Sequence, residues 1–194
     1  MVIFFDGLSP KPIRSAIVQS LADSGIPICF DGSKDTLHRE MMRQVRDMEW
    51  LTAPPEIDHW EQETVRFFQQ QARQILADLD KQTHVVLADR DMCVLLPLWL
   101  SVLEKPLCIL CLPHTPLGFA ATLQTVYDCP LPVGVALWEL WTKRLLELTQ
   151  DLPRIIIANE SLSLNPQAVA HTLSQQLAAM GYYALARTIR QLGA

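Results

Sequence analysis

The run Leu107–Leu112, LCILCL, indicates the fold most clearly. A strand that is apolar on both faces is typical of the centre of a parallel sheet covered by helices on both sides. Thr115 and Pro116 follow it and predict a helix start, with threonine as the N-cap and proline at the first helical position. The run is therefore predicted to be a central strand that leads into a helix.

The rest of the chain repeats this alternation of strand and helix. The predicted strands are Val2–Phe5, Ile26–Phe30, His84–Leu87 and Arg154–Ala158. The predicted helices are Ile13–Ser24, Thr36–Met48, Asp58–Leu79, Cys93–Leu103, Val133–Leu148 and a helix that Asn165 and Pro166 cap and that ends near Gly181. Such alternation implies right-handed crossovers and a mainly parallel sheet. We expect one α/β domain over residues 1–194, built as a three-layer sandwich.

Composition and charge exclude several classes of function. The chain is 49% hydrophobic and 19% charged, which is typical of a compact protein. A net charge of -5 argues against nucleic-acid binding, which requires a basic surface. Charged residues at 90–91 and 104–105 interrupt the most apolar stretch, so no membrane span is predicted. The apolar start, Met1–Phe5, is too short for a signal peptide, and a cytoplasmic protein is expected. A protein partner and self-association both stay open.

The five cysteines are predicted to be reduced thiols, because their number is odd and no secretion signal is seen. Cys108 and Cys111 have CxxC spacing but lie in a predicted strand, where residues three apart point to opposite faces. Buried thiols are therefore favoured over metal or redox chemistry, and no metal site is predicted.

In a parallel sheet, ligands bind beyond the carboxyl ends of the strands, so the segments that follow the strands are the candidate sites. The first is Asp6–Pro12, where a phosphate-binding loop would use backbone N–H groups. Pro10 and Pro12 each remove one such donor, and Lys11 is the basic side chain of the loop. A structural turn and a residual anion site both remain open here.

The second and third candidates carry titratable side chains. His114 follows the central strand and is the histidine best placed for acid–base chemistry, although a structural role at a helix start is the alternative. Asp89 and Asp91 flank Arg90 after the third predicted strand, where a helix cap is favoured and binding of a cation or positioning of a base, as partner of His114, is the alternative. Asn159–Ser161, after the last strand, is predicted to be a capped turn, and Trp138 and Trp141 are predicted to be core residues.

Taken together, these segments resemble the bacterial sulfotransferases of the P-loop superfamily, whose donor is phosphoadenosine phosphosulfate (PAPS), over most of the chain. Leu95–Trp99 matches the Leu-Leu-Pro-x-Trp helix of that family. Ala136–Glu139, Leu152–Arg154 and Asn159–Leu162 follow its long helix, last strand and final turn. The resemblance implies a sulfotransferase-like fold with PAPS as cofactor.

The chain departs from the family where the donor binds. The family's Arg-x-Pro and Ala-x-Ser, in which Arg and Ser hold the ribose phosphate, correspond to His114–Pro116 and Ala120–Thr122. Its Lys-Asp-Pro-Arg motif corresponds to Ala88–Asp91, and its Gly-x-x-Arg-Ser-Gly-Thr loop to Gly7–Ile13. By this resemblance the residues left to bind the donor are Gly7, Ser9, Lys11, Arg14 and Thr122.

Three hypotheses follow from this pattern of retained framework and replaced cations. The first is a sulfotransferase-like protein without PAPS-dependent catalysis that acts as an interaction or regulatory module. The second is an enzyme of changed chemistry that uses His114 as acid or base, with Asp89 or Asp91 as partner and Lys11 holding an anionic substrate. The third is a diverged but active sulfotransferase in which Lys11, Arg14 and Thr122 suffice for the donor.

Overall fold

The computed structural model describes residues 2–6, 32–46, 57–79, 86–89, 92–104 and 106–192. The predicted helix Ile13–Ser24 and the predicted strand Ile26–Phe30 lie outside these residues. Both stay predictions from the sequence.

The sheet of the described residues has four parallel strands. They are β1 (Val2–Asp6), β2 (Val86–Asp89), β3 (Leu107–Leu112) and β4 (Arg154–Ala158), in the spatial order β2-β1-β3-β4. β3 and β4 have the predicted bounds, and β2 overlaps the predicted strand His84–Leu87, whose first two residues lie outside the described ranges. The α/β class with a parallel sheet is therefore confirmed.

β3 is a central strand, as its sequence predicts, because it pairs with β1 on one side and with β4 on the other. Its side chains divide between two hydrophobic clusters. Cys108 and Leu110 belong to one cluster, which includes residues of the helices before and directly after β3. Leu107, Ile109 and Cys111 belong to the second, together with residues of β4 and of the helices near the C-terminus. The prediction that Cys108 and Cys111 point to opposite faces is confirmed.

The helices of the described residues agree with most of the predicted ones. They are α1 (Gly32–Arg46), α2 (Gln62–Leu79), α3 (Met92–Leu100), α4 (Pro116–Tyr127), α5 (Leu131–Leu148), α6 (Asn159–Leu164), α7 (Pro166–Ala179) and α8 (Tyr183–Leu192). None of them combines the length and the apolar character needed to cross a membrane. The start of α2 differs from the prediction, because a 3-10 turn at Ile57–His59 comes first and Trp60 is buried after it.

Helix α8 is absent from the sequence prediction, which ended near Gly181. Gly181 does end the preceding segment, and its φ of 86° is one that glycine adopts without strain. Leu185, Ala186 and Ile189 of α8 are buried in the cluster on the β4 side of the sheet. Their spacing is helical, so the signal was present in a short terminal segment.

Helices α4 and α5 form a closely packed pair. Asp128 ends α4 in the left-handed conformation, with φ 54°, and α5 begins at Leu131. A Cβ atom added to Gly134 of α5 would lie 2.7 Å from the Cα atom of Ala120 on α4. Glycine therefore allows the two helix backbones to approach each other. The contact positions α4, which begins directly after the loop that follows β3.

Candidate functional site at the carboxyl edge of the sheet

The strand order marks the carboxyl ends of β1 and β3 as the place where a parallel sheet is expected to bind a ligand. In the described sheet β2 lies beside β1 on one side, whereas β3 and then β4 lie on the other. Parallel sheets bind ligands at such a reversal, where the two outgoing connections diverge. Asp6 at the end of β1 is level with Cys111 of β3. The loop after β3 therefore borders the candidate site.

Contacts from two different helices hold the loop Pro113–Thr115. The indole N–H of Trp138, on α5, donates to the carbonyl oxygen of Pro113 over 3.1 Å. The backbone N–H of His114 donates to both carboxylate oxygens of Glu160, on α6, over 3.0 and 2.8 Å. These contacts join residues 25 and 46 positions apart in the chain, so the loop is fixed by tertiary structure.

Thr115 fixes the end of the same loop. Its hydroxyl oxygen accepts a hydrogen bond of 3.1 Å from the backbone N–H of Gly118, in the first turn of α4. The predicted N-cap at Thr115 and the proline after it are thereby confirmed, as is the cap of α7 by Asn165, whose side chain accepts from the N–H of Ala168. The hydroxyl of Thr115 therefore has a structural partner.

His114 exposes its imidazole at this edge of the sheet. Its backbone is bound to Glu160, but within the described residues its side chain has no hydrogen-bond partner. A general base normally needs a second group to orient its ring. The structure places His114 where an acid or base is expected and leaves its catalytic role a prediction.

Asp89 lies at the same edge, two strands away from β3. It is the last residue of β2, level with Phe5 of β1, which is level in turn with Leu110 of β3. At the usual strand spacing the backbones of β2 and β3 are about 10 Å apart. The side chain of Asp89, and Asp91 as a whole, lie outside what the structure describes. Their pairing with His114 stays a prediction.

Thr122 lies within α4 and its hydroxyl is bonded inside the helix. The hydroxyl donates to the carbonyl oxygen of Gly118 over 3.0 Å. Thr122 comes seven residues after the cap Thr115, which is about 10 Å along a helix axis. It therefore lies about two turns away from the backbone N–H groups that begin α4. The other predicted donor-binding residues lie outside the described residues: Gly7, Ser9, Lys11 and Arg14.

The charges of the described residues do not favour an anion at this loop. The charged group that hydrogen-bonds to it is the Glu160 carboxylate. Arg154, at the opposite end of β4, donates instead to the carbonyl of Leu146 over 2.7 Å, at the C-terminal end of α5. A cation at that position stabilises the helix through its dipole. This guanidinium is therefore occupied away from the candidate site.

Cys108 is a buried thiol, as predicted, and burial raises its pKa to about 11, while the nearby charge of Arg154 acts in the opposite direction. A thiol of this kind is a poor nucleophile and a poor metal ligand at neutral pH. In the described ranges, no group of three His, Cys, Asp or Glu side chains is arranged to hold a metal ion.

Sequence reasoning missed two residues that hold the loop. Glu160 was interpreted as part of a capped turn, and Trp138 as a core residue. A signal for Glu160 was available: it follows β4, which neighbours β3, and the carboxyl ends of parallel strands meet at one edge. Trp138 carried no such signal, since its polar contact depends on how α5 crosses the sheet.

Comparison with protein-family models, with curated proteins and with solved structures found no match.

Proposed function

We propose that this chain is a sulfotransferase-like protein that does not catalyse PAPS-dependent sulfate transfer and acts as an interaction or regulatory module. The resemblance over Asp89–Pro166 motivates the fold assignment, a three-layer sandwich of the P-loop type. The parallel order β2-β1-β3-β4 and the two clusters that share β3 are compatible with it.

The observation that carries the proposal is the state of the two positions that the resemblance assigns to the ribose phosphate. At the arginine position stands His114, whose backbone N–H is already satisfied by a carboxylate. At the serine position stands Thr122, whose hydroxyl is bonded to Gly118. Histidine does not offer the bidentate, permanently charged grip of arginine. A phosphate at this loop would also lie near the negative charge of Glu160.

The size of the expected loss supports absence of ordinary donor binding. A hydrogen bond to a charged group contributes roughly 1.5 to 3 kcal/mol, so losing three or four removes on the order of 5 to 10 kcal/mol. A micromolar affinity corresponds to about 8 kcal/mol. The replaced cations therefore account for a loss as large as the whole binding energy of such a donor.

The test is a calorimetric titration of the purified chain with PAPS and with phosphoadenosine phosphate. No saturable binding up to millimolar ligand is the expected result. Saturable micromolar binding would overturn the proposal and favour the diverged, active sulfotransferase. In that case Lys11→Ala and Thr122→Ala should weaken binding, whereas Thr142→Ala, on α5, should leave it unchanged.

A restored arginine sharpens this test. His114→Arg returns a permanent cation to the loop while the backbone hydrogen bonds from residue 114 to Glu160 are kept. We expect it to bind phosphoadenosine phosphate more tightly than the wild-type chain, and His114→Gln to behave as wild type. Equal binding by the two variants would remove the basis for assigning residue 114 to phosphate recognition.

The enzyme of changed chemistry is the second candidate, favoured by one observation. His114 is exposed on a loop that hydrogen bonds to Glu160 and Trp138 hold at the edge where parallel sheets carry their sites. It predicts that His114→Ala folds as the wild type does and loses a turnover that the wild-type chain shows.

A further inference from the structure

β4 has a free edge. It stands last in the order β2-β1-β3-β4, so β3 lies on one side of it and, within the described residues, no strand lies on the other. Its sequence between Arg154 and Ala158 is Ile155–Ile157, without charge, proline or glycine. Proteins usually protect an exposed edge strand with such residues, and an unprotected apolar edge is a template for pairing with another strand.

The ladder shows which backbone groups face outward. The N–H of Cys108 donates to the carbonyl of Pro153 over 2.9 Å, while Cys108 is level with Arg154. Successive residues of a strand direct their backbone groups to opposite sides. Ile155 therefore bonds towards β3, as Pro153 does, and Arg154, Ile156 and Ala158 present their N–H and C=O groups at the free edge.

The side chain of Ile156 is also available, in contrast to its neighbours. It is 51% exposed, whereas Ile155 and Ile157 are buried. The apolar sequence of Arg154–Ala158 predicts a buried strand, and the exposure of Ile156 corrects that prediction. Ile156 thus offers both an apolar side chain and a pair of backbone hydrogen-bonding groups.

A groove of about 450 Å³ lies beside β4 and leaves space for an added element. Its other wall is α7, which contributes Ala168, Thr172 and Gln176 from one exposed stripe of the helix, four residues apart. Leu164, 84% exposed, lies at its rim. Ala168 and Thr172 are small, so another helix or strand can approach closely.

We propose that β4 pairs antiparallel with β4 of a second copy of this chain, about a twofold axis at Ile156. The outward residues Arg154, Ile156 and Ala158 are symmetric about residue 156. Ile156 of each copy exchanges both backbone hydrogen bonds with Ile156 of the other, and Arg154 stands opposite Ala158. The sheets join into one, and the two α7 stripes face each other.

The self-complementarity of the edge is the argument for a second copy over an unrelated peptide. In antiparallel register the two Arg154 residues are four positions apart along the strand, roughly 13 Å, so like charges do not meet. The proposed pairing of the two strands depends only on the geometry of β4. This inference does not depend on the sulfotransferase-like assignment.

Sedimentation equilibrium of the full chain over a wide concentration range tests the proposal. A concentration-dependent dimer is expected. Ile156→Pro removes the outward N–H without touching the bonds to β3, and proline is tolerated at such an edge position. It should raise the dimer dissociation constant at least about tenfold, whereas Ile156→Val should keep the wild-type value.

Two further variants distinguish dimerisation through the edge of β4 from nonspecific association and from misfolding. Ile156→Lys, at an already exposed side chain, should give a folded monomer, with folding checked by circular dichroism. Leu117→Lys, on the 67% exposed Leu117 of α4, should leave the dimer intact. A monomer at all concentrations, or a dimer unaffected by both Ile156→Pro and Ile156→Lys, would overturn the proposal.

The symmetry itself has a direct readout. Residues of a hydrogen-bonded antiparallel pair have Cα atoms about 5.5 Å apart, a distance that a disulfide spans. Ile156→Cys should therefore form a covalent dimer through residue 156 on mild oxidation, as mapped by mass spectrometry. Leu117→Cys should not link to itself. A failure of Ile156→Cys to link in a chain that dimerises would contradict the proposed axis.

Discussion

The indole N–H of Trp99, on α3, donates a hydrogen bond of 2.8 Å to Nε2 of His38, on α1, in the interior of the protein. His38 is only 2% exposed, and the two rings meet edge to face. An indole N–H is only a donor, so this bond assigns Nε2 of His38 as the acceptor. The pair is one of the polar contacts that position α1 against α3.

Trp99→Phe should lower the free energy of unfolding by about 1 to 3 kcal/mol, because it removes the donor for a buried acceptor. His38→Leu removes the acceptor instead. If the hydrogen bond links the two residues, the double variant loses less than the sum of the single variants in urea denaturation. Additive losses would show that the residues contribute independently. Trp60→Phe is the control, because Trp60 is buried and its indole N–H has no hydrogen-bond partner in the described part of the chain.

Glu160→Ala should release the backbone of His114. The variant loses the acceptor of the His114 N–H, so amide exchange at His114 should become faster and stability should fall by roughly 1 kcal/mol. Glu160→Gln keeps an acceptor oxygen and should stay closer to wild type. Glu139→Ala, at an exposed glutamate of α5, is the matched control. Unchanged exchange at His114 in Glu160→Ala would mean that this contact does not hold the loop.

Gly134→Ala should destabilise the protein, contrary to helix propensity. Propensity alone favours alanine in a helix by about 1 kcal/mol. The added Cβ atom would lie 2.7 and 2.8 Å from the Cα and Cβ atoms of Ala120, so α4 and α5 must separate. We expect a net loss of about 1 to 3 kcal/mol in denaturant titration. Ala136→Gly, at an exposed position of α5, calibrates the propensity, and a gain in stability for Gly134→Ala would refute the close packing.

Cys108 should make stability fall at alkaline pH. Its pKa is raised from 9.0 to about 11 by burial, so the folded chain keeps a proton that the unfolded chain releases. The contribution of the protonated Cys108 thiol to the free energy of unfolding is intact below about pH 9. It is lost as the pH rises towards 11, by up to about 1.4 kcal/mol for each pH unit. Cys108→Ala should show a shallower decline over this window in urea denaturation. Parallel curves for the two proteins would exclude the effect.

The strands and helices of the described residues were largely predictable from the sequence, whereas the candidate site was predictable only in part. The runs at β3 and β4 and the caps Thr115 and Asn165 were predicted, because each depends on neighbours within a few residues. His114 was placed correctly at the carboxyl edge of the sheet, because the end of a strand is a local property. Its contact with Glu160 was not foreseen, since 46 residues separate the two.

The burial of polar side chains was also not predictable from the sequence. The sequence analysis singled out His114 as the histidine best placed for chemistry, and no local pattern predicted the burial of His38. Its partner Trp99 is 61 residues away, so no local pattern connects them. Thr122 was predicted to bind the donor from its residue type, whereas its hydroxyl bond to Gly118 follows from where the side chain points in α4.

The sequence by itself determined the alternation of strands and helices, the parallel class of the sheet and the helix caps, because periodicity and capping act over one or two turns of chain. The tertiary structure decided the strand order, and with it which loops share an edge and which strand is left open. Arg154–Ala158 has an apolar core typical of a buried strand, yet Ile156 is half exposed because β4 stands at the end of the described sheet. Exposure depends on what packs against a residue, and here those neighbours come from distant parts of the chain.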